Sequence, residues 1–194
     1  MKAARRDQKT RFALLGMLTL QPMSGYDIRK TVDASIAHFW NESYGQIYPM
    51  LKGMAREGLV RGKADRKAAR NRQVYAITAS GRATLERWLV EPPGRELVRN
   101  QLLLKLFFAR NVPLEVSLRH LEQDRALQEA ELFRFRAMER DLVRQHPAHP
   151  DLPYWLIALR FGIRHCEAAI RWADEALVRL KGSRARKTRK PGTA

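Results

Sequence analysis

Nine residues in the carboxy-terminal half, Leu152, Leu156, Leu159, Ile163, Cys166, Ile170, Ala173, Leu177 and Leu180, follow one another at alternating steps of four and three without a miss. That spacing places them along one stripe of a single long helix, about four heptads in extent, and is incompatible with the two-residue period of a strand. A helix with so regular an apolar stripe cannot stand alone in water. The preceding stretch offers a similar but interrupted seam, Leu114, Leu118, Leu121, Leu132, Phe135 and Leu142, with Arg125 and Gln128 at its polar breaks, and His146-Pro147-Ala148-His149-Pro150 forms the turn between the two. The stripe can therefore be covered by a helical hairpin within the chain or by a second chain.

Charge divides the molecule further. Residues 1–95 hold 18 basic and 8 acidic side chains, a net +10; residues 96–180 hold 13 and 12, a net +1; residues 181–194 hold 6 and none. A basic head, a near-neutral helical body and a basic tail are expected, with the boundary at Glu91-Pro92-Pro93-Gly94. The overall +17 on 194 residues favours phosphate or anionic surfaces as partners. The tail carries Lys181, Arg184, Arg186, Lys187, Arg189 and Lys190 among Gly, Ser, Thr and Pro, and is expected to be disordered. Cys166, the single cysteine, has no internal disulfide partner, which fits a reducing cytoplasm. The basic start followed by apolar Phe12 to Leu20 imitates a signal peptide, but Gln21-Pro22-Met23-Ser24-Gly25 supplies no small-x-small cleavage site. No apolar run approaches the roughly 18 residues of a membrane span; Lys105 interrupts the best, Leu102 to Phe108.

The head reads as short elements in a fixed order. Phe12 to Leu20 predicts a helix buried on several sides, ended by Pro22. Ser24 is placed to cap a second helix from Gly25 to about Val32, with Asp27 near its positive end. Ser43-Tyr44-Gly45-Gln46 has capping-box spacing for a third helix of about 14 residues, with Ile47, Leu51 and Met54 on one face and Gly58 as its stop. Pro49 complicates that start, because a proline beyond the first turn removes a backbone bond. Leu59 to Gly62 and Arg72 to Ile77 predict a hairpin with a basic tip, and Thr78 is placed to cap a closing helix in which Leu85, Trp88 and Leu89 face inward. The fold class is mainly α: an amino-terminal winged helix-turn-helix with a two-stranded β wing over residues 1–91, a helical dimerisation domain over 95–180, and a basic tail over 181–194. In that architecture the third helix enters the major groove and the wing lies beside the phosphates.

The motifs Pro22-Met23-Ser24-Gly25-Tyr26-Asp27-Ile28, Phe39-Trp40, Ser43-x-Gly45-Gln46-Ile47-Tyr48-Pro49-x-Leu51, Glu57-Gly58-Leu59-Val60 and Tyr75-x-Ile77-Thr78-x-x-Gly81 occur in that order. Together they resemble the PadR family of bacterial transcriptional regulators over residues 11 to 90. Leu103-Leu104-Lys105-Leu106-Phe107-Phe108 and the two later helices resemble the longer subtype, which has a separate dimerisation domain. The resemblance implies a homodimeric, effector-responsive repressor.

Residue by residue, Ser43, Tyr44 and Gln46 fall on the first turn of the recognition helix, where side chains reach bases or phosphates; Ser43 and Gln46 could instead serve as caps. The family pattern implies a DNA-facing tyrosine at Tyr48, against the alternative that it is core; Lys52, one turn beyond, could reach a phosphate or serve equally as solvent cover. Lys63, Arg66, Lys67, Arg70 and Arg72 crowd the wing, offset by Asp65; such cations hold a protein on the duplex without reading sequence. Leu152, Leu156, Leu159, Ile163, Cys166, Ile170 and Leu177 are expected between subunits, because helix-turn-helix proteins commonly read two half-sites as dimers. Trp88, Phe107, Phe108 and Trp155 are candidates for a pocket taking a planar aromatic effector, against the alternative that they are core packing.

Other chemistry is thin. His146 and His149 lack a third ligand at useful spacing, Cys166 on the apolar stripe reads as an inert thiol, and no phosphate loop or nucleophile elbow is present. No cofactor, metal, membrane or enzymatic activity is expected. The partners expected are double-stranded DNA and a second copy of the chain. The alternative is a nucleoid-associated or RNA-binding protein that uses the basic head and tail without a specific operator.

Overall fold

Short helices in the first half and two very long ones in the second set the architecture. The computed structural model describes residues 2–37, 39–40, 44–65, 72–94 and 99–188, and divides into two units, Met1–Arg95 and Glu96–Ala194.

In the first unit, α1 (Lys2–Leu20) packs on α2 (Gly25–Ser35), α3 (Ile47–Arg56), α4 (Ala79–Leu89) and the sheet. The expectation of a helix buried on several sides holds: Phe12, Leu14, Leu15, Met17 and Leu18 all lie in the core, joined by Ile28, Leu51, Met54, Leu59 and Tyr75. The caps form where side-chain chemistry places them. Ser24 and Asp27 make a reciprocal capping box on α2, and Thr78 Oγ1 accepts from the Gly81 N–H at 3.1 Å to open α4. Gly58 takes φ +75° after α3, and the Leu59 N–H returns to the Met54 carbonyl at 2.9 Å, closing the helix as a Schellman motif. Gly81 is obligatory for a different reason. A Cβ there would collide with the Leu59 carbonyl oxygen, a backbone atom that cannot step aside.

The sheet has one strand more than the sequence suggests. β2 (Val60–Asp65) and β3 (Arg72–Ile77) pair antiparallel as the wing, and the two-residue β1 (Met23–Ser24) adds to the far side of β3, giving the order β1-β3-β2. Two residues carry no readable periodicity, so a strand this short is invisible before its partner is placed.

The second unit holds α5 (Gln101–Phe107), α6 (Leu114–Gln145) and α7 (Leu152–Thr188), the last two packed against each other as an antiparallel hairpin. Here the heptad stripe meets the chain's own α6. Leu152, Leu159, Ile163, Cys166, Ala173 and Leu177 are buried, and Leu156 and Ile170 partly so, within the one chain. Phe135 on α6 shares a core cluster with Leu159, Ile163 and Cys166, with Leu132, Met138 and Leu142 packed against it. The seam expected between subunits is occupied by the chain's own preceding helix. The short His146–Asp151 turn makes α6 the nearest apolar surface, closing the hairpin at small entropic cost. Of the polar breaks, Arg125 is matched, its Nε meeting Asp174 Oδ1 at 2.6 Å; elsewhere along the hairpin Arg136 reaches Glu167 at 3.1 Å and Arg160 reaches Glu139 at 2.6 Å.

The tail also differs from expectation. The last helix runs to Thr188, eight residues into the segment expected to be disordered, and Lys181 Nζ reaches Glu122 Oε1 at 3.3 Å. Arg, Lys and Ala favour helix, and no proline intervenes before Pro191. Residues 189–194 lie outside the described residues.

Candidate nucleic-acid interface

The third helix presents two faces of different character. Ile47, Leu51 and Met54 are buried in the core, whereas Gln46, Tyr48, Pro49 and Lys52 are exposed, Tyr48 at 55%. Its start departs from the expected capping box. Tyr44–Gln46 forms a 3-10 turn, α3 opens at Ile47, and Gln46 occupies the N-cap position without a side-chain cap bond. Pro49 accounts for the shift: opened at Ile47, the helix holds its proline in the first turn, where no intrahelical partner for the missing N–H is needed. The side chain of Gln46 is thereby left facing outward. Ser43 lies outside the described residues, and for Tyr44 the backbone alone is described.

On the wing, the register pairs Arg61 with Ala76 and Lys63 with Val74, so both cations rise from one face of the sheet, over a hollow floored by Val74 and Ala76. Both are exposed. Arg61 is not among the expected contacts, and Lys63 is expected in the loop after a strand ending at Gly62; β2 instead runs on to Asp65, which puts the two cations two residues apart on one face. Arg66, Lys67 and Arg70 lie outside the described residues.

Arg72 does something other than reach outward. Its Nε donates to Ser24 Oγ at 3.0 Å and its guanidinium is paired with Asp27 on α2, which ties the base of the wing to the start of that helix. Burial pushes the Asp27 carboxyl up, but the Ser24 N–H, the Arg72 guanidinium and the Ser24 hydroxyl outweigh it and hold the group below its usual value.

Trp88 lies in the first unit, stacked on Phe12 at 4.5 Å between ring centres, and Trp155 is stacked on His149 at 4.4 Å. Phe107 and Phe108 stand exposed beside each other. Phe108 lines a cavity of about 400 Å3 with Leu104, Leu106, Val112 and Val116, to which Lys105, Ser117 and His120 add polar groups. Burial, with Glu131 nearby, pushes the Cys166 thiol up, so the thiolate is disfavoured. Among the described residues no three metal-ligating side chains converge, and no helix is long and apolar enough to cross a membrane.

Residues 14–87 match the transcriptional regulator PadR-like family, and residues 98–181 match the virulence activator alpha C-term family. The "Probable transcriptional regulator Rv1176c" of Mycobacterium tuberculosis is 32% identical over 184 residues, covering 89% of this chain and 97% of that protein. The "Negative transcriptional regulator PadR" of Bacillus subtilis is 32% identical over 100 residues, 50% of this chain and 55% of that one. The crystal structure of Bacillus subtilis PadR in complex with operator DNA superposes with a TM-score of 0.78 at 24% identity, covering 88% of this chain and 98% of that one. The same protein in complex with p-coumaric acid gives 0.71 over the same shares.

Proposed function

The chain belongs to the PadR-like family of transcriptional regulators, and from that premise we propose that it is a cytoplasmic, homodimeric repressor that reads an operator with α3 and grips the flanking phosphates with its wing. The observation that carries the reading is the division of α3 into a buried face, Ile47, Leu51 and Met54, and an exposed one, Gln46, Tyr48 and Lys52. A helix so divided can enter a groove without disturbing the core behind it. The proposal keeps Ser43 and Tyr44 as base or phosphate contacts on sequence grounds, and assigns the phosphate grip to Arg61, Lys63, Arg66, Lys67 and Arg70. The similarity to a protein crystallised on operator DNA supports this reading, as does a relative named as a negative regulator. It is not an enzyme.

With the heptad seam consumed inside the hairpin, the second copy is received by the opposite side of α7. Tyr154, Ile157 and Phe161 stand there at 71%, 68% and 69% exposure, and Ala168 and Trp172 lie on the same side beyond the exposed Arg164 and His165. An apolar stripe of this length left in water marks an interaction surface. The effector reading is narrowed to Phe108 and the cavity around it, since Trp88 and Trp155 already have stacking partners. Lys105 would complement the carboxylate of a planar aromatic acid, the chemical class to which p-coumaric acid belongs.

The deciding experiment is binding to the DNA upstream of its own coding sequence in the presence of excess unrelated duplex. Operator recognition exceeds nonspecific binding by roughly 10³-fold or more, so the labelled fragment should stay bound. Equal competition would favour the nucleoid-associated alternative. Adding p-coumaric acid to the complex should release the fragment if the cavity is regulatory.

A further inference from the structure

Gly25 opens α2 in a helical conformation and is buried, so no left-handed backbone requires glycine at that position. What the missing side chain does is admit a neighbour. A Cβ built on Gly25 would stand 2.7 Å from Cε1 of Tyr48, 3.0 Å from its Cζ and 3.1 Å from its Cδ1, well inside the roughly 3.5–4.0 Å of ordinary carbon contacts. The ring of Tyr48 therefore lies flush on the first turn of α2. Its other surroundings are open, at 55% exposure.

The surface beneath the ring is itself held. Ser24 and Asp27 close the capping box around Gly25, the Asp27 carboxylate accepting from the Ser24 N–H at 3.0 Å and from its hydroxyl at 2.8 Å. Arg72 from the wing binds both residues, and β1 fixes Ser24 opposite Val74 in the sheet. A side chain is positioned accurately only by groups that are themselves locked, and this turn is locked from three directions.

We propose that Gly25 is a positioning residue for sequence recognition: by presenting bare backbone to the Tyr48 ring, it sets where that ring, and with it the hydroxyl, meets the DNA. This rests on the operator-binding reading above. The atoms a Cβ would strike are the far end of an exposed ring, which can swing outward without opening the core. Alanine also favours helix over glycine. Gly25→Ala should accordingly leave the fold intact while moving the tyrosine.

The test uses the full chain and a duplex selected by the wild-type protein from a random-sequence pool, with an unrelated duplex as control. Gly25→Ala is expected to weaken the selected duplex on the order of ten-fold, the size of one misplaced base contact, and to leave the unrelated duplex within about two-fold. Its melting temperature should equal or exceed that of wild type. In a Tyr48→Ala background, Gly25→Ala should have no further effect, because the two changes remove one interaction. If the wild type selects no sequence, the operator reading falls and this inference with it. If it selects one, the operator reading stands, and any of three results overturns the inference alone: full affinity of Tyr48→Ala, losses that add in the double variant, or a Gly25→Ala protein that melts well below wild type.

Discussion

The two units bury their apolar residues by different means. In the first, four helices and three short strands surround a single core, and Leu15, Ile28 and Leu51 reach complete burial although no element exceeds 19 residues. In the second, two helices of 32 and 37 residues pack along one seam, burying Leu121 and Ala173 completely yet leaving Leu127, Phe133, Ile157 and Phe161 more than 60% exposed. A set of elements that encloses a core can finish itself, whereas a two-helix hairpin has an inside on one side only. The head encloses its core with its own elements; the hairpin leaves apolar side chains exposed on its other side.

A charge at the centre of the hairpin should produce the largest effect. Leu159→Asp places a carboxylate at a site 2% exposed beside Phe135 and Cys166, and a loss upward of about 4 kcal/mol is expected, seen as a collapse of the urea midpoint and of the helical circular dichroism. Survival of the hairpin would show that its seam is looser than the burial indicates. In the head, Leu51→Ala should cost about 2–5 kcal/mol by equilibrium unfolding, the range for a fully buried leucine.

The contrast between inside and outside of α7 is sharper still. Ile157→Asp combined with Phe161→Asp should cost almost nothing in hairpin stability and yet shift sedimentation from dimer to monomer. A variant pair that stays dimeric would move the subunit interface elsewhere. In the head, acid should act through Asp27. Its carboxyl is held below the ordinary value of 3.8 in the folded state, so its stabilising contribution is complete above that value and disappears as pH falls through the lower, folded one. The stability difference between wild type and Asp27→Asn should therefore shrink below about pH 4. The smallest effect belongs to the wing: Arg61→Ala or Lys63→Ala should leave folding unchanged and each reduce the slope of log affinity against log salt by about 1.

Local chemistry made the head readable. Ser24 and Thr78 cap because a short oxygen-bearing side chain before an apolar turn satisfies donors that nothing else reaches, and Gly58 stops α3 because its φ of +75° is disfavoured for every residue with a side chain. Such signals act over three or four residues and need no knowledge of the fold. The start of α3 was harder, since Ser43-x-x-Gln46 and Pro49 made opposite demands and the proline prevailed. The tie from Arg72 to α2 is not legible in the sequence, because its cation looks like its neighbours on the wing and its partner Asp27 is 45 residues away.

The amino-acid sequence by itself determined the order of elements, their caps, the buried face of α3 and the existence of a long helix with an apolar stripe, because each follows from periodicity or from contacts between near neighbours. Tertiary structure alone decided which surface covers that stripe, that Met23 and Ser24 join the sheet, that Arg72 serves the scaffold, and that Gly25 lies under Tyr48. Those outcomes depend on which distant segments meet. A heptad states that a helix needs a partner and is silent on which one, and only the closing of the short turn before α7 turned its seam inward and left Ile157 and Phe161 facing out.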